Sequence, residues 1–144
     1  MAGFSDVSEN AVLNLIFRAT PWANYADNAA TTPETNIIVA LHTADPGDPG
    51  TQATSESAYG GYARQNVARS TGWAAATTGS CALAANLDFP SSSGAATTIT
   101  NFSTGKSGGG ASAILMSGAI SPTIPIGGAG VVPRLTTATT VSLD

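Results

Sequence analysis

The N-terminus of this chain carries its one good helix pattern, which Thr20-Pro21 ends. From Asn36 onward the chain reads as short runs at strand spacing, divided by turns rich in proline and glycine. That order constrains the fold more than any other feature. One helix followed by about seven short strands predicts a mainly β protein, a β-sandwich or flattened barrel with one N-terminal α-helix. The length fits one domain over residues 1–144, with the β part at about 36–144.

The helix is expected near Ser5–Ala19. Ser5 or Asp6 supplies an N-cap, and Asp6 with Glu9 has capping-box spacing. Val12 with Ile16, and Leu13 with Phe17, are i,i+4 pairs on a shared face. Arg18 suits the negative end of the helix dipole, and Thr20-Pro21 ends the element. Trp22–Pro33 has no period and reads as an irregular connection.

A buried strand is expected at Asn36–Thr43, followed by the double turn Asp45-Pro46-Gly47-Asp48-Pro49-Gly50 and a polar loop over Thr51–Gly61. Further strands are expected at Tyr62–Arg69, Ser80–Phe89, Thr97–Phe102, Ala113–Ala119, Val131–Leu135 and Thr136–Leu143. In the second of these, Cys81, Leu83, Leu87 and Phe89 would share one face. Pro90–Gly94 reads as a loop and Gly105–Gly110 as a glycine-rich turn.

Charged residues make up 10% of the chain, against about a quarter in ordinary soluble domains. A surface this poor in charge tends to associate. The net charge of −4 argues against a nucleic-acid surface, and the five basic residues, Arg18, Arg64, Arg69, Lys106 and Arg134, are scattered. The longest apolar stretches, Ile37–Leu41 and Ala113–Met116, fall far short of the ~20 residues of a membrane span, so no membrane partner is expected. The first residues carry no basic segment with an apolar run behind it, so the expected route is synthesis in the cytoplasm and delivery by assembly or lysis.

Candidate chemistry is sparse. Cys81 and His42, single examples of their kinds, are a nucleophile–base pair on paper. The plainer reading makes Cys81 a small buried residue and His42 a hydrogen-bonded residue at a strand end. Lys106 precedes Ser107–Gly110, the wrong order for a phosphate-binding loop. Asp45 and Asp48, with Glu56 nearby, are few ligands for a calcium ion and are read as turn residues. Glu34, Glu56, Asp88 and Asp144 show no pairing suited to acid–base work. The expectation is therefore no enzyme activity, no catalytic centre, no cofactor and no metal site.

Trp22, Tyr25, Tyr59, Tyr62 and Trp73 are read as core or interface anchors. The loop Thr43–Gly61, stiffened by its Pro-Gly turns, leads to Tyr59, Tyr62 and Arg64. These three are candidate interface residues, since rigid aromatics and arginine favour docking. The alternative is that Tyr62 and Arg64 begin a strand and serve internal packing, and the sequence leaves both open.

Several segments carry a resemblance. They are Gly3-Phe4-Ser5-Asp6, Glu9–Asn14, Ile38–Asp48, Tyr59-Gly60-Gly61-Tyr62-Ala63-Arg64-Gln65, and the alternating Thr136–Leu143, the turn and the Gly60-Gly61-Tyr62-Ala63-Arg64 segment being the most specific. Their order resembles a family of small virion proteins of tailed bacteriophages, commonly labelled tail fibre proteins. The resemblance implies a β-rich structural virion component without enzyme activity. The low charge and the absence of a fibrous repeat or coiled-coil heptad put capsid decoration or cement first, a tail-associated role second, and a host-surface carbohydrate-binding domain third. The implied partners are the major capsid protein or other virion proteins. Self-association is expected, with a trimer favoured by analogy to shell three-fold positions.

Overall fold

A computed structural model describes residues 5–22, 26, 33–106 and 114–143. The elements run α1 (Asp6–Arg18), β1 (Asn36–His42), β2 (Gln65–Ala68), β3 (Ser80–Ala82), β4 (Leu87–Asp88), β5 (Thr97–Lys106), β6 (Ile114–Ile126), β7 (Arg134–Leu135) and β8 (Thr140–Ser142). The protein is mainly β with one helix. Its largest sheet is open, in the order β2-β1-β5-β6, which selects the sandwich class over the barrel. The chain clusters into two compact units, one of residues 1–36, 67–86 and 135–144, the other of residues 37–66 and 87–134.

In the first unit, α1 is held by both its stripes. Leu13 and Phe17 are fully buried, and the Phe17 ring meets Trp73 edge-on at 4.6 Å. Beside them Asn10 and Asn14 use their side-chain oxygens to accept from Gly79 N (2.9 Å) and Ala76 N (3.0 Å). The helix thus satisfies backbone donors of the turn that leads into β3. Its own C-terminal carbonyls, Leu15 O and Ile16 O, accept from the Arg69 guanidinium, while Ala19 ends it in the left-handed region. β3 pairs antiparallel with β8, with Cys81 opposite Val141, and both are buried.

In the second unit, β5 is the centre. It pairs antiparallel with β1, Leu41 lying opposite Phe102, and antiparallel with β6, Phe102 lying opposite Gly118. Ile37, Val39, Leu41, Ile99, Phe102 and Ile126 form its apolar core with Tyr59 and Phe89. The Asp45–Gly50 turn is closed by Gly47 N on Asp45 Oδ1 (3.0 Å) and Gly50 N on Gly47 O (3.0 Å). The following residues fold back along β1, with Thr43 N on Ser55 O and Ser57 N on Leu41 O.

Several expectations are corrected. Of the two cap candidates the helix uses Ser5, but without the expected side-chain bond to the helix backbone; its Oγ lies 3.3 Å from Ser8 Oγ. The expected strand Ser80–Phe89 is broken in two, because Ala84–Asn86 are exposed and Asn86 accepts from Thr137 N. Tyr62–Arg69 shrinks to β2, since Tyr62 and Arg64 spend their side chains in a polar network. Gly105 belongs to β5 rather than to a turn: a Cβ there would come within 2.5 Å of the Gln52 carboxamide, so any larger residue would have to displace that buried group. β6 runs far beyond Ala119 through Pro122 and Pro125, which an edge strand tolerates. Val131–Leu135 retains only Arg134–Leu135 as strand, and Thr136–Leu143 only Thr140–Ser142, because Thr136–Thr139 closes as a turn. Tyr25, Ser107–Gly110, Ala113 and Asp144 lie outside the described residues.

Candidate functional site

The sequence candidates Tyr59, Tyr62 and Arg64 converge with Glu56 in the second unit. Arg64 donates to both Glu56 oxygens, Nε to Oε1 at 2.6 Å and a terminal nitrogen to Oε2 at 2.8 Å. The Tyr62 hydroxyl donates to Glu56 Oε1 and accepts from Leu41 N, each at 3.0 Å. It therefore satisfies a β1 backbone donor with a side chain rather than with another strand. The Tyr62 ring stacks nearly parallel on Phe89 and meets Tyr59 edge-on. Tyr59 is 3% exposed and donates its hydroxyl to Pro90 O at 2.8 Å.

Charge and burial are balanced here. Burial pushes the Glu56 carboxyl upward, but the hydrogen bonds from Arg64 and Tyr62 outweigh it and hold the group below its ordinary range. The bond to Glu56 raises Arg64 further, and burial raises both tyrosines. Glu56 and Arg64 retain side-chain exposures of 20% and 23%. An open depression of about 510 Å³ surrounds them, lined by Ser57, Ala58, Tyr59, Gly61, Tyr62 and Ala63 besides the ion pair. It is shallow, and its rim residues Ala58, Gly61 and Ala63 are exposed.

A second polar chain lies beneath. His42 is fully buried, with Nδ1 2.9 Å from Thr54 O and Nε2 2.7 Å from Ser103 Oγ. Because a carbonyl can only accept, Nδ1 carries the proton, and Ser103 donates to Nε2. Gln52, also fully buried, donates to Ile38 O at 3.0 Å and to Ser103 Oγ at 3.4 Å. The serine–histidine contact resembles a catalytic dyad in distance alone. Both residues are fully buried, so no substrate reaches the hydroxyl. Sequence reading missed Gln52 and Ser103, and no local signal marks them, since 51 positions and the strands β2, β3 and β4 separate them in the chain.

Cys81 and His42 do not form a reactive pair. The thiol donates to Ala74 O, and burial pushes its pKa up to about 11. Asp45 serves its turn, and among the described residues no three His, Cys, Asp or Glu side chains gather as metal ligands. Among them, too, no helix is long and apolar enough to cross a membrane.

What the fold and this cluster define is a small β module whose candidate reactive groups are spent on holding its own backbone. A family model described as podophage GP4 fiber I protein gp80 matches residues 3–137. The chain belongs to that family, a structural family of phage fibre proteins, and is a bacteriophage virion component related to tail fibres. No curated protein matches it.

Proposed function

We propose that this chain is a non-catalytic building block of the virion that docks on another virion protein and associates with its own kind. The observation that carries the reading is the closed use of Glu56, Tyr62, Arg64, His42 and Ser103 inside one unit. A catalytic centre keeps an accessible reactive group, and here the groups stiffen a loop instead. The docking surface is the depression around Tyr62 and Arg64. Its exposed rim is Ala58, Gly61 and Ala63, with Tyr59 supporting it from beneath. Such a surface is preorganised, so little entropy is lost on docking.

The family description favours a fibre location. Capsid decoration, the location that the low charge and the small single module suggest, differs from it in copy number. Hundreds of copies per virion on a stained gel of purified particles would place the chain on the capsid. Tens or fewer would place it at the fibre. Ala63→Glu should reduce incorporation into virions lacking the protein while leaving the melting temperature unchanged. Turnover of peptidoglycan, polysaccharide or ester substrates by the purified protein would overturn the non-catalytic reading.

A further inference from the structure

β6 is the last strand of the four-stranded sheet, so among the described residues its outer edge pairs with nothing. Sheet proteins blunt such edges with charge, proline, bulges or shortness. β6 is 13 residues long and contains no charged residue. Its prolines, Pro122 and Pro125, lie in its second half. Its main irregularity lies there too: Ile99 faces Ile124 while Asn101 faces Ala119, so Ile120–Thr123 bulges opposite Thr100. The first half carries one smaller irregularity, Gly105 facing Ile114 while Thr104 faces Met116, which leaves Leu115 as an extra residue; Met116–Ala119 is a regular edge without charge or proline.

We propose that two copies of this protein join through β6, edge to edge and antiparallel, about a two-fold axis at Ser117. An edge meeting its own copy brings each residue to its mirror position, so a charge near the axis would face its like. This stretch has none. The register centred on Ser117 sets Met116 opposite Gly118 and Leu115 opposite Ala119, a bulky residue against a small one on either side of the axis. Both outermost positions are isoleucines, Ile114 opposite Ile120. Ile114, Met116, Gly118 and Ile120 are half-buried on one face; Leu115, 42% exposed, lies with Ser117 and Ala119 on the other. Pairing the strands here adds about one main-chain hydrogen bond per facing pair, most regularly at Met116–Gly118, since Leu115 and Ile120 lie at the irregularities. It also covers Leu115, one of the few large apolar side chains exposed among the described residues. The product is a dimer, not the trimer that shell symmetry favours.

This inference rests on the self-association proposed above and assigns its surface. Light scattering on the full chain at about 100 µM should give a dimer, a concentration at which a micromolar complex is filled. Ser117→Lys and Ser117→Glu, each alone, should weaken the dimer at least about tenfold by facing like charges across the axis. Mixing the two variants should restore it, because lysine then faces glutamate. Thr137→Lys, exposed in the other unit, should leave the dimer intact. If a lysine or glutamate at 117 impairs folding, amide exchange on the unaltered protein supplies the test. Protection at Ile114–Ile120 should rise with concentration. A monomer at 100 µM would overturn both the edge and the self-association. A dimer or trimer that both Ser117 variants leave unchanged, or a mixture that fails to restore the dimer, would keep self-association and overturn the edge.

Discussion

Both ring nitrogens of His42 are committed while the ring is neutral, and that sets a pH dependence. Burial lowers its pKa below the ordinary 6.5, against the raising effects of Thr54 O, Glu56 and Asp45. Arg64 adds to the lowering. A group lowered in the fold contributes stability that is present above its unfolded value and lost as pH falls through its folded one. The melting temperature should therefore fall from about pH 7 to about pH 5, and His42→Gln should flatten that slope. Glu56, also lowered, contributes a separate loss at more acidic pH, below its ordinary 4.5. At the same scale, Arg64→Lys cannot hold both Glu56 oxygens and should cost about 1–2 kcal/mol in chemical denaturation, a partly buried charge-assisted pair being worth that much. Tyr59→Ala, which empties a buried site, should cost about 3–5 kcal/mol. A Tyr59→Ala protein as stable as the parent would count against the packing described.

At the scale of elements, β5 passes Gln52 through a gap sized for glycine. Gly105→Ala should destabilise by about 1–3 kcal/mol through overpacking, because the carboxamide it would strike is itself bonded to Ile38 O. α1 depends on Arg69 in a comparable way. That guanidinium takes Leu15 O and Ile16 O at the helix end and Glu34 O beside them, so Arg69→Ala should lower helical circular dichroism as well as stability. The existence of α1 and its buried face were legible, because Leu13 and Phe17 repeat at helical spacing. The strand ends were not. Cys81, Leu83, Leu87 and Phe89 alternate as one strand would, yet the chain breaks at exposed Ala84–Asn86, where Asn86 accepts from the distant Thr137 N.

At the scale of the molecule, the two units are woven from alternating stretches, with boundaries at 36/37, 66/67, 86/87 and 134/135. Neither is a continuous piece of chain that could be cut free. A single cooperative transition is expected, with calorimetric and van't Hoff enthalpies equal. Two resolved transitions in calorimetry would mean that the units fold separately.

The sequence by itself determined the class. Its spacing gave one helix and many short strands, its few charges removed most catalytic options, and its ordered segments resembled phage virion proteins. Those are local or compositional properties, and each can be read from neighbours along the chain. Tyr59, Tyr62 and Arg64 were legible as a group for the same reason. What they do was left to tertiary structure, because their partners are distant or unmarked. Leu41 supplies the backbone donor and Glu56 the carboxylate, and Ser103, far along the chain, closes the ring of His42. The outer edge of β6 was invisible for a related reason: a strand's position at the end of a sheet is decided by which strands pair, and long-range pairing leaves no mark on the residues that lack it.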